Sequence, residues 1–367
     1  MKSLLKKWYT SGCRLYLKNG KEENKLCIFY TFPHNNNGWL EEVLTAVKCP
    51  VTLVYRPQVF EEIEELKTCF PHVDFYNIAS LSGWLGTLKA IKTSQDILLD
   101  NYEPLLASVT STTQRRAMIW HATGAIKQFG ACDPKNKERT QSDCARFKAV
   151  YEGYTDFLVG SQKMADVFKK SYLATEDKIR LLGFVRSDAL VNQSQAELKA
   201  SFLAKNQAYQ NKTLILYAPT YREDSEARYP IDLATIEATL PNSKVICRYH
   251  PHHKEASTTV LGSYAELLAA CDYCITDYSS LPFDYTLLHP QGHVVLYQYD
   301  VELYKERYGL EPLFFEDCPF PCVTTQEDLL LALQEAPKEF TSFNQEWNTY
   351  NDGQATGRLI EWLGENK

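Results

Sequence analysis

Short apolar runs, separated by stretches with helical spacing, recur along almost the whole chain. KLCIFYTF (25–32), VTLVYR (51–56), VDFYNI (73–78), DILLD (96–100), AMIWHA (117–122), FLVGS (157–161) and IRLLGF (179–184) make a first set. A polar stretch with helix-forming residues, NQSQAELKASFLAKNQAY, then interrupts the series. A second set follows in TLILYAPTY (213–221), KVICRYH (244–250), YCITDY (273–278) and HVVLYQYD (293–300). Apolar runs of strand length alternating with helical patterns predict βα units and parallel sheets. The polar break predicts two doubly wound sheets, over residues 21–195 and 196–345, with a final helix over 346–367 marked by WNTY and IEWL. No internal repeat or low-complexity tract interrupts this α/β plan.

The first twenty residues have a different character. MKSLLKKWYTSGCRLYLK carries Lys2, Lys6, Lys7, Arg14 and Lys18 and no acid. Leu4, Leu5, Trp8, Leu15 and Tyr16 share one side of a helix, with Tyr9 near its edge. A cationic amphipathic segment with Trp and Tyr predicts a helix lying on an anionic membrane surface. The alternative is a helix docked on its own domain, and Gly12 weakens any long helix there. No run approaches the roughly eighteen apolar residues of a membrane span, and no secretory signal pattern is present. The expected location is therefore peripheral, on the cytoplasmic face of the cell membrane.

Composition narrows the function. With 44% apolar and 23% charged residues in 367, the chain reads as an ordinary globular protein. A formal charge of -7 excludes a general nucleic-acid binder, which needs a basic face. The eleven cysteines are odd in number and scattered, several inside apolar runs (Cys27, Cys247, Cys274), which predicts buried reduced thiols.

Doubly wound sheets bind ligands at the C-terminal ends of their strands, and the polar residues of this chain gather there. Asp100 ends DILLD, His121 ends AMIWH, and Thr220 and Arg222 end LILYAPTYR. His250 ends VICRYH, and CITDYSSLPFDY places Asp277, Ser279 and Ser280 just before a helical LPFDYTLL with Pro282 in its first turn. Backbone N–H groups and the positive end of the helix dipole make such a start suited to phosphate, the alternative being an ordinary capping box. No GxGxxG follows the first strand and no GxxxxGK[ST] occurs, which excludes nicotinamide enzymes and P-loop NTPases. HPHH (250–253) and CDYC (271–274) hold metal-ligand residue types, but the two cysteines flank the start of a predicted buried strand, so neither a metal site nor a cofactor is expected.

IWHATGAIKQFG, LLGFVRSDAL, LYAPTYRED, RYHPHH and ITDYSSLPFDYTLL, in this order, resemble the CDP-glycerol glycerophosphotransferases of teichoic acid synthesis. YDVELYKERYGL is similar to that family's Asp, Tyr and Arg motif, here Asp300, Tyr304 and Arg307. The resemblance runs from about residue 25 to 350, and the compact length and the form of WHATGAIKQFG are nearest the glycerol-phosphate primase branch. It implies a GT-B-like fold of two Rossmann-type domains facing a cleft, with the nucleotide in the C-terminal one, and an interfacial membrane association. It further implies transfer of sn-glycerol 3-phosphate from CDP-glycerol to the N-acetylmannosamine of an undecaprenyl-diphosphate-linked ManNAc-GlcNAc disaccharide, with release of CMP.

Roles follow from the resemblance and from the chemistry of each side chain. His121 serves as general base, and Asp100 orients it or is itself the base. Ser279 and Ser280 hold the diphosphate, His250 assists the leaving phosphate, and Thr220 lies beside them. Arg186, Arg222 and Arg307 neutralise phosphate through forked hydrogen bonds, and Asp284 binds glycerol hydroxyls. Two departures stand out. Arg307 is followed by Tyr308 and then Gly309, where the family often has Arg-Gly, and three histidines (His250, His252, His253) replace a single His-Pro. Only His250, before Pro251, takes the family's role. No DxD-like pair lies on a strand-end loop, so no essential metal is expected. The rival readings are an extending or CDP-ribitol-using transferase, a sugar-nucleotide glycosyltransferase, and a non-catalytic scaffold. The last is disfavoured by the presence of both His121 and His250.

Overall fold

The computed structural model describes residues 2–18, 20–220, 222, 230–249 and 257–365, with side chains from residue 9 onward. His250 and the HPHH stretch lie outside the described residues. The chain forms two units, one of residues 1–122, 130–188 and 350–367, the other of residues 123–129 and 189–349.

The first unit is built on β1 (Glu23–Tyr30), β2 (Val51–Tyr55), β3 (Asp74–Asn77), β4 (Ser94–Leu99), β5 (Arg115–Met118), β6 (Asp156–Leu158) and β7 (Ile179–Arg180). They form one seven-stranded parallel sheet in the order β3-β2-β1-β4-β5-β6-β7. The last five residues of β1 are all buried, as a parallel strand covered on both faces requires. The order reverses between β1 and β4, so the loops leaving these two strands flank a topological switch point.

Ile28, Tyr30, Leu53 and Leu98 pack with Leu359, Trp362 and Leu363 in the core of this unit. The last three come from the helix Ala355–Gly364, which is pinned at both ends. The Asp188 carboxylate accepts from the amides of Ala355 (3.1 Å) and Thr356 (2.7 Å), two donors that have no partner within the helix. At the other end Arg115 donates to the carbonyls of Trp362 (2.7 Å) and Leu363 (3.2 Å) and lies over the Trp362 ring at 4.2 Å. The single final helix expected over 346–367 is instead two, Thr341–Trp347 in the second unit and Ala355–Gly364 in the first. The break falls in NTYNDGQ, where Asn351 Oδ1 accepts from the Phe184 amide (2.9 Å) and Gly353 takes φ 84.

The N-terminal helix Lys2–Leu17 also belongs to the first unit. Cys13 and Leu17 are buried, Arg14 donates to the Ala107 carbonyl (2.9 Å), and Trp84 Nε1 donates to the Tyr9 hydroxyl (2.9 Å). Leu15 is 77% exposed and Tyr16 half-exposed. Its docked face therefore differs from the side on which the sequence pattern gathers Leu15 and Tyr16. Among the described residues no helix is long and apolar enough to cross a membrane.

The second unit holds β8 (Thr213–Tyr217), β9 (Ser243–Cys247), β10 (Tyr273–Thr276), β11 (Gln291–Tyr297) and β12 (Cys322–Val323). They run parallel in the order β12-β11-β10-β8-β9, and β13 (Lys338–Glu339) pairs antiparallel with β11. Here the order reverses between β8 and β10. The polar stretch expected as a joint includes the helix Gln195–Lys205, closed by a capping box of Ser194 and Glu197. Residues 123–129 join this unit: Lys127 pairs with Leu310, and the Glu311 amide donates to the Ile126 carbonyl (2.8 Å). Strands end one to four residues before the apolar runs do, and several residues beyond them bond side chains from neighbouring strand ends. One such bond runs from the Thr220 amide to Asp277 (2.8 Å).

The return of the chain to the first unit depends on Gly183, whose φ is 88 and whose added Cβ would lie 2.2 Å from the Tyr350 carbonyl oxygen. Gly183→Ala is expected to destabilise the protein by about 2 kcal/mol or more. An unchanged urea unfolding midpoint in the variant would count against this reading.

Candidate active site

In the first unit the switch point is organised by Asp100, just past the end of β4. Its side chain is fully buried, with Oδ2 accepting from the amides of Thr31 (2.7 Å) and Phe32 (2.8 Å) and Oδ1 from the Thr31 hydroxyl (2.7 Å). Burial pushes this acid up to about 6, against the three donors that pull it down. His121 meets Asp100 at its main-chain carbonyl, not at its carboxylate, with Nδ1 2.8 Å from the oxygen. A carbonyl only accepts, so Nδ1 carries the hydrogen and Nε2 is the lone-pair nitrogen of the neutral ring. The expected help from Asp100 to His121 thus passes through the backbone, while the enclosed carboxylate holds the loop after β1. As a base in its own right, Asp100 is badly placed.

The imidazole is stacked on Phe32 (centroids 4.1 Å apart, planes at 17°) and lies beside Trp120 at 4.3 Å. Trp120 takes φ 62, a left-handed conformation that a bulky residue adopts only under constraint. Asn35 supplies part of that constraint. It is almost fully buried, its Nδ2 donates to the Trp120 carbonyl (3.2 Å), and its own carbonyl accepts from Trp39 Nε1 (2.8 Å). The Asn35 Oδ1 is buried and has no hydrogen-bond partner among the described residues. Asn37 Nδ2 donates to the carbonyl of Arg186 (2.9 Å), a buried residue of the short turn Val185–Ser187. Thr31, Phe32 and Asn35 escaped the sequence reading. The available signal was the asparagine run HNNN directly after a strand.

In the second unit three strand ends converge on Arg222. Its Nε donates to Asp300 Oδ2 (2.9 Å), and its Nη2 to Asp277 Oδ2 (2.8 Å) and Asp300 Oδ1 (3.1 Å). Its Nη1 donates to the Thr220 carbonyl (2.6 Å). Burial alone would lower its pKa, but Asp277 and Asp300 outweigh that and hold it above the ordinary value. Tyr278 donates its hydroxyl to Asp300 (3.0 Å) and stacks on Tyr304 at 3.6 Å, with the guanidinium 4.7 Å from the Tyr304 ring. Arg222, expected to neutralise phosphate, is therefore committed to two carboxylates.

Asp284 departs from expectation in the same way. It is buried, with Oδ1 bonded to the Thr123 hydroxyl and Oδ2 accepting from the Tyr264 hydroxyl (2.7 Å). Two hydroxyls thus enclose the acid that was expected to bind glycerol. Ser279 and Ser280 stand part-exposed at the start of the helix Leu281–Leu288. Ser279 Oγ accepts from the Leu281 amide (3.3 Å), whereas the Ser280 side chain makes no capping bond, so this is not a capping box. Arg307, in the last turn of the helix Val301–Tyr308, lies 5.4 Å from the Tyr308 ring. Cys271 and Cys274 are fully buried, and burial pushes both thiols up. Among the described residues no group of three His, Cys, Asp or Glu side chains is arranged to hold a metal.

Two outcomes follow from these geometries. The pKa of Asp100 is raised in the fold above its unfolded value, so its stabilising contribution is complete below about pH 4 and lost as pH rises through about 6. Asp100→Asn can accept both amides and donate to the Thr31 hydroxyl. Its unfolding free energy should gain about 1 kcal/mol on wild type between about pH 5 and 7.5, and parallel pH curves would refute the assignment. Arg222→Ala leaves the buried Asp277 and the part-buried Asp300 without their cation and should cost about 3–5 kcal/mol, read from urea unfolding. A loss below about 1 kcal/mol would show that the network is not structural.

Comparison with known proteins shows the family and the fold. Residues 58–364 match the model of the CDP-Glycerol:Poly(glycerophosphate) glycerophosphotransferase family. The teichoic acid glycerol-phosphate primase of Bacillus subtilis (strain 168) is 28% identical over 377 aligned residues, spanning 97% of this chain and 96% of the primase. The protein of the same name from Staphylococcus aureus (strain NCTC 8325 / PS 47) is 29% identical over 380, spanning 99% and 98%. The solved structure of the wall teichoic acid polymerase TagF superposes with a TM-score of 0.73 over 100% of this chain and 97% of that one. At 17% identity this shows a shared, GT-B-like fold. The family match takes in most of the chain, so the protein belongs to the CDP-glycerol:poly(glycerophosphate) glycerophosphotransferases and is an enzyme of that class.

Proposed function

We propose that the protein is a teichoic acid glycerol-phosphate primase. It transfers sn-glycerol 3-phosphate from CDP-glycerol to the N-acetylmannosamine of an undecaprenyl-diphosphate-linked ManNAc-GlcNAc disaccharide. The observation that carries this reading is the nearly end-to-end match to glycerol-phosphate primases from two organisms.

The acceptor hydroxyl gives its proton to Nε2 of His121 as its oxygen attacks the glycerol-bearing phosphorus in line. The bond from that phosphorus to the bridging oxygen breaks, and CMP leaves with the electron pair. The bond from Nδ1 to the Asp100 carbonyl supports this role, since it makes Nε2 the basic nitrogen. Ser279 and Ser280, at a helix start, receive the diphosphate. Thr220, Arg186, Arg307 and His250 complete the donor contacts, while Arg222 and Asp284 act by holding the loops that carry them. The helix Lys2–Leu17, with its basic residues and outward Leu15, rests on anionic lipid at the cytoplasmic face, where the lipid-linked acceptor is reached.

The test is CMP release from CDP-glycerol with soluble analogues of the unprimed disaccharide and of a primed acceptor, side by side. Turnover is expected on the unprimed disaccharide only, falling by about 10²–10⁴ in His121→Ala. Turnover confined to the primed acceptor would make the protein an extending transferase. No CMP release from either would overturn the donor assignment.

A further inference from the structure

We propose that Cys318 and Cys322 form a reversible dithiol–disulfide pair, a covalent modification site beside β12. They bracket the sequence Cys318-Pro319-Phe320-Pro321-Cys322, which leads into that strand. Both sulfurs address one acceptor, the Phe320 carbonyl oxygen, at 3.8 Å from Cys318 and 3.6 Å from Cys322. They therefore lie together on one side of the turn.

The turn is built to keep them there. Pro319 and Pro321 fix φ on either side of Phe320. Phe320 itself is buried, packed against Phe314, Phe340 and Phe343. The Pro321 carbonyl accepts from the Leu296 amide (2.8 Å), so the second proline is tied to β11.

Access and reactivity are divided between the two. Cys322 is exposed and Cys318 half-buried, so a reagent meets Cys322 first. The neighbouring Cys318 holds the Cys322 thiol below its ordinary range, and Cys322 in turn raises Cys318. This makes Cys322 the attacking thiolate and Cys318 the resolving thiol. A structural metal is disfavoured, because among the described residues no third ligand joins the pair.

The oxidant is a low-molecular-weight disulfide. The Cys322 thiolate attacks one of its sulfurs, that S–S bond breaks, and the first thiolate leaves and takes up a proton. Cys318 then loses its proton, attacks the Cys322 sulfur and expels the second thiol. One S–S bond has replaced another, and two electrons and two protons have passed to the reagent. A dithiol reductant reverses the sequence. The site adjoins the candidate donor loops: the Gln298 amide donates to the Val323 carbonyl (2.7 Å), and Gln298 Nε2 donates to the Asp277 carbonyl (3.4 Å). The proposal is independent of which acceptor the enzyme uses.

The experiment equilibrates the full-length protein in buffers of reduced and oxidised glutathione, quenches by alkylation and maps the peptide spanning Cys318 and Cys322. The expected result is loss of both alkylation sites and of two hydrogens in one two-electron transition, restored by dithiothreitol. In Cys318→Ser, Cys322 should stop at a mixed disulfide with glutathione, whereas in Cys322→Ser the remaining Cys318 should stay alkylatable. Mixed disulfides alone on the wild-type pair, or a pair still alkylatable where the exposed Cys69 has been modified, would overturn the proposal.

Discussion

Removing a guanidinium from water costs several kcal/mol unless every donor finds an acceptor and the charge a counter-charge. Arg222 meets that demand with Asp277 after β10, Asp300 after β11 and the carbonyl of Thr220 on its own loop after β8. One cation thereby fixes three strand ends of the second sheet. Asp277 extends the tie by accepting from the amides of Thr220 (2.8 Å) and Tyr278 (2.6 Å). Ser279 and Ser280 leave from this knot, so their position is set by a charge cluster beneath them. Among the described residues, two carboxylates against one guanidinium leave the cluster with a surplus of negative charge. Any phosphate held above it has to draw its positive partners from elsewhere, and the helix start beyond Ser280 is one such source.

The first unit solves a related problem with a single acid. Asp100 uses its carboxylate to hold the backbone of Thr31 and Phe32 and its carbonyl to hold Nδ1 of His121. Phe32 in turn stacks on the imidazole. Both the edge and a face of the ring are thus governed from one residue. Trp120, left-handed beside it, is kept in that conformation by the Asn35 amide and by its own aromatic neighbours Phe168 and Tyr172.

The alternation of apolar runs was enough to place eleven strands and both sheets, because buried parallel strands leave an unmistakable hydrophobic trace. Their C-terminal ends were not legible: the residues after Tyr217, Cys247 and Tyr297 look strand-like but are drawn into side-chain bonding. The two-residue strands Cys322–Val323 and Lys338–Glu339 are too short for any periodicity. Asp100 and His121 could be found by position at strand ends. Their supports in TFPHNNN could not, since these sit about seventy or more residues upstream and meet them only through the sheet order. The commitment of Arg222 was hidden for the same reason, its carboxylates lying 55 and 78 residues away. A charged residue read locally looks available, and only tertiary structure shows it is spent.

The order in which the two units close along the chain has a consequence for synthesis. The first unit includes the helix Ala355–Gly364, whose Leu359, Trp362 and Leu363 fill its core. During translation the residues of β1 to β7 emerge long before that helix does, while the second unit has its whole sheet by residue 339. The later-made domain is thus the first able to finish folding. The earlier one waits with an apolar opening in its core until that helix arrives, a nascent surface of the kind that chaperones bind.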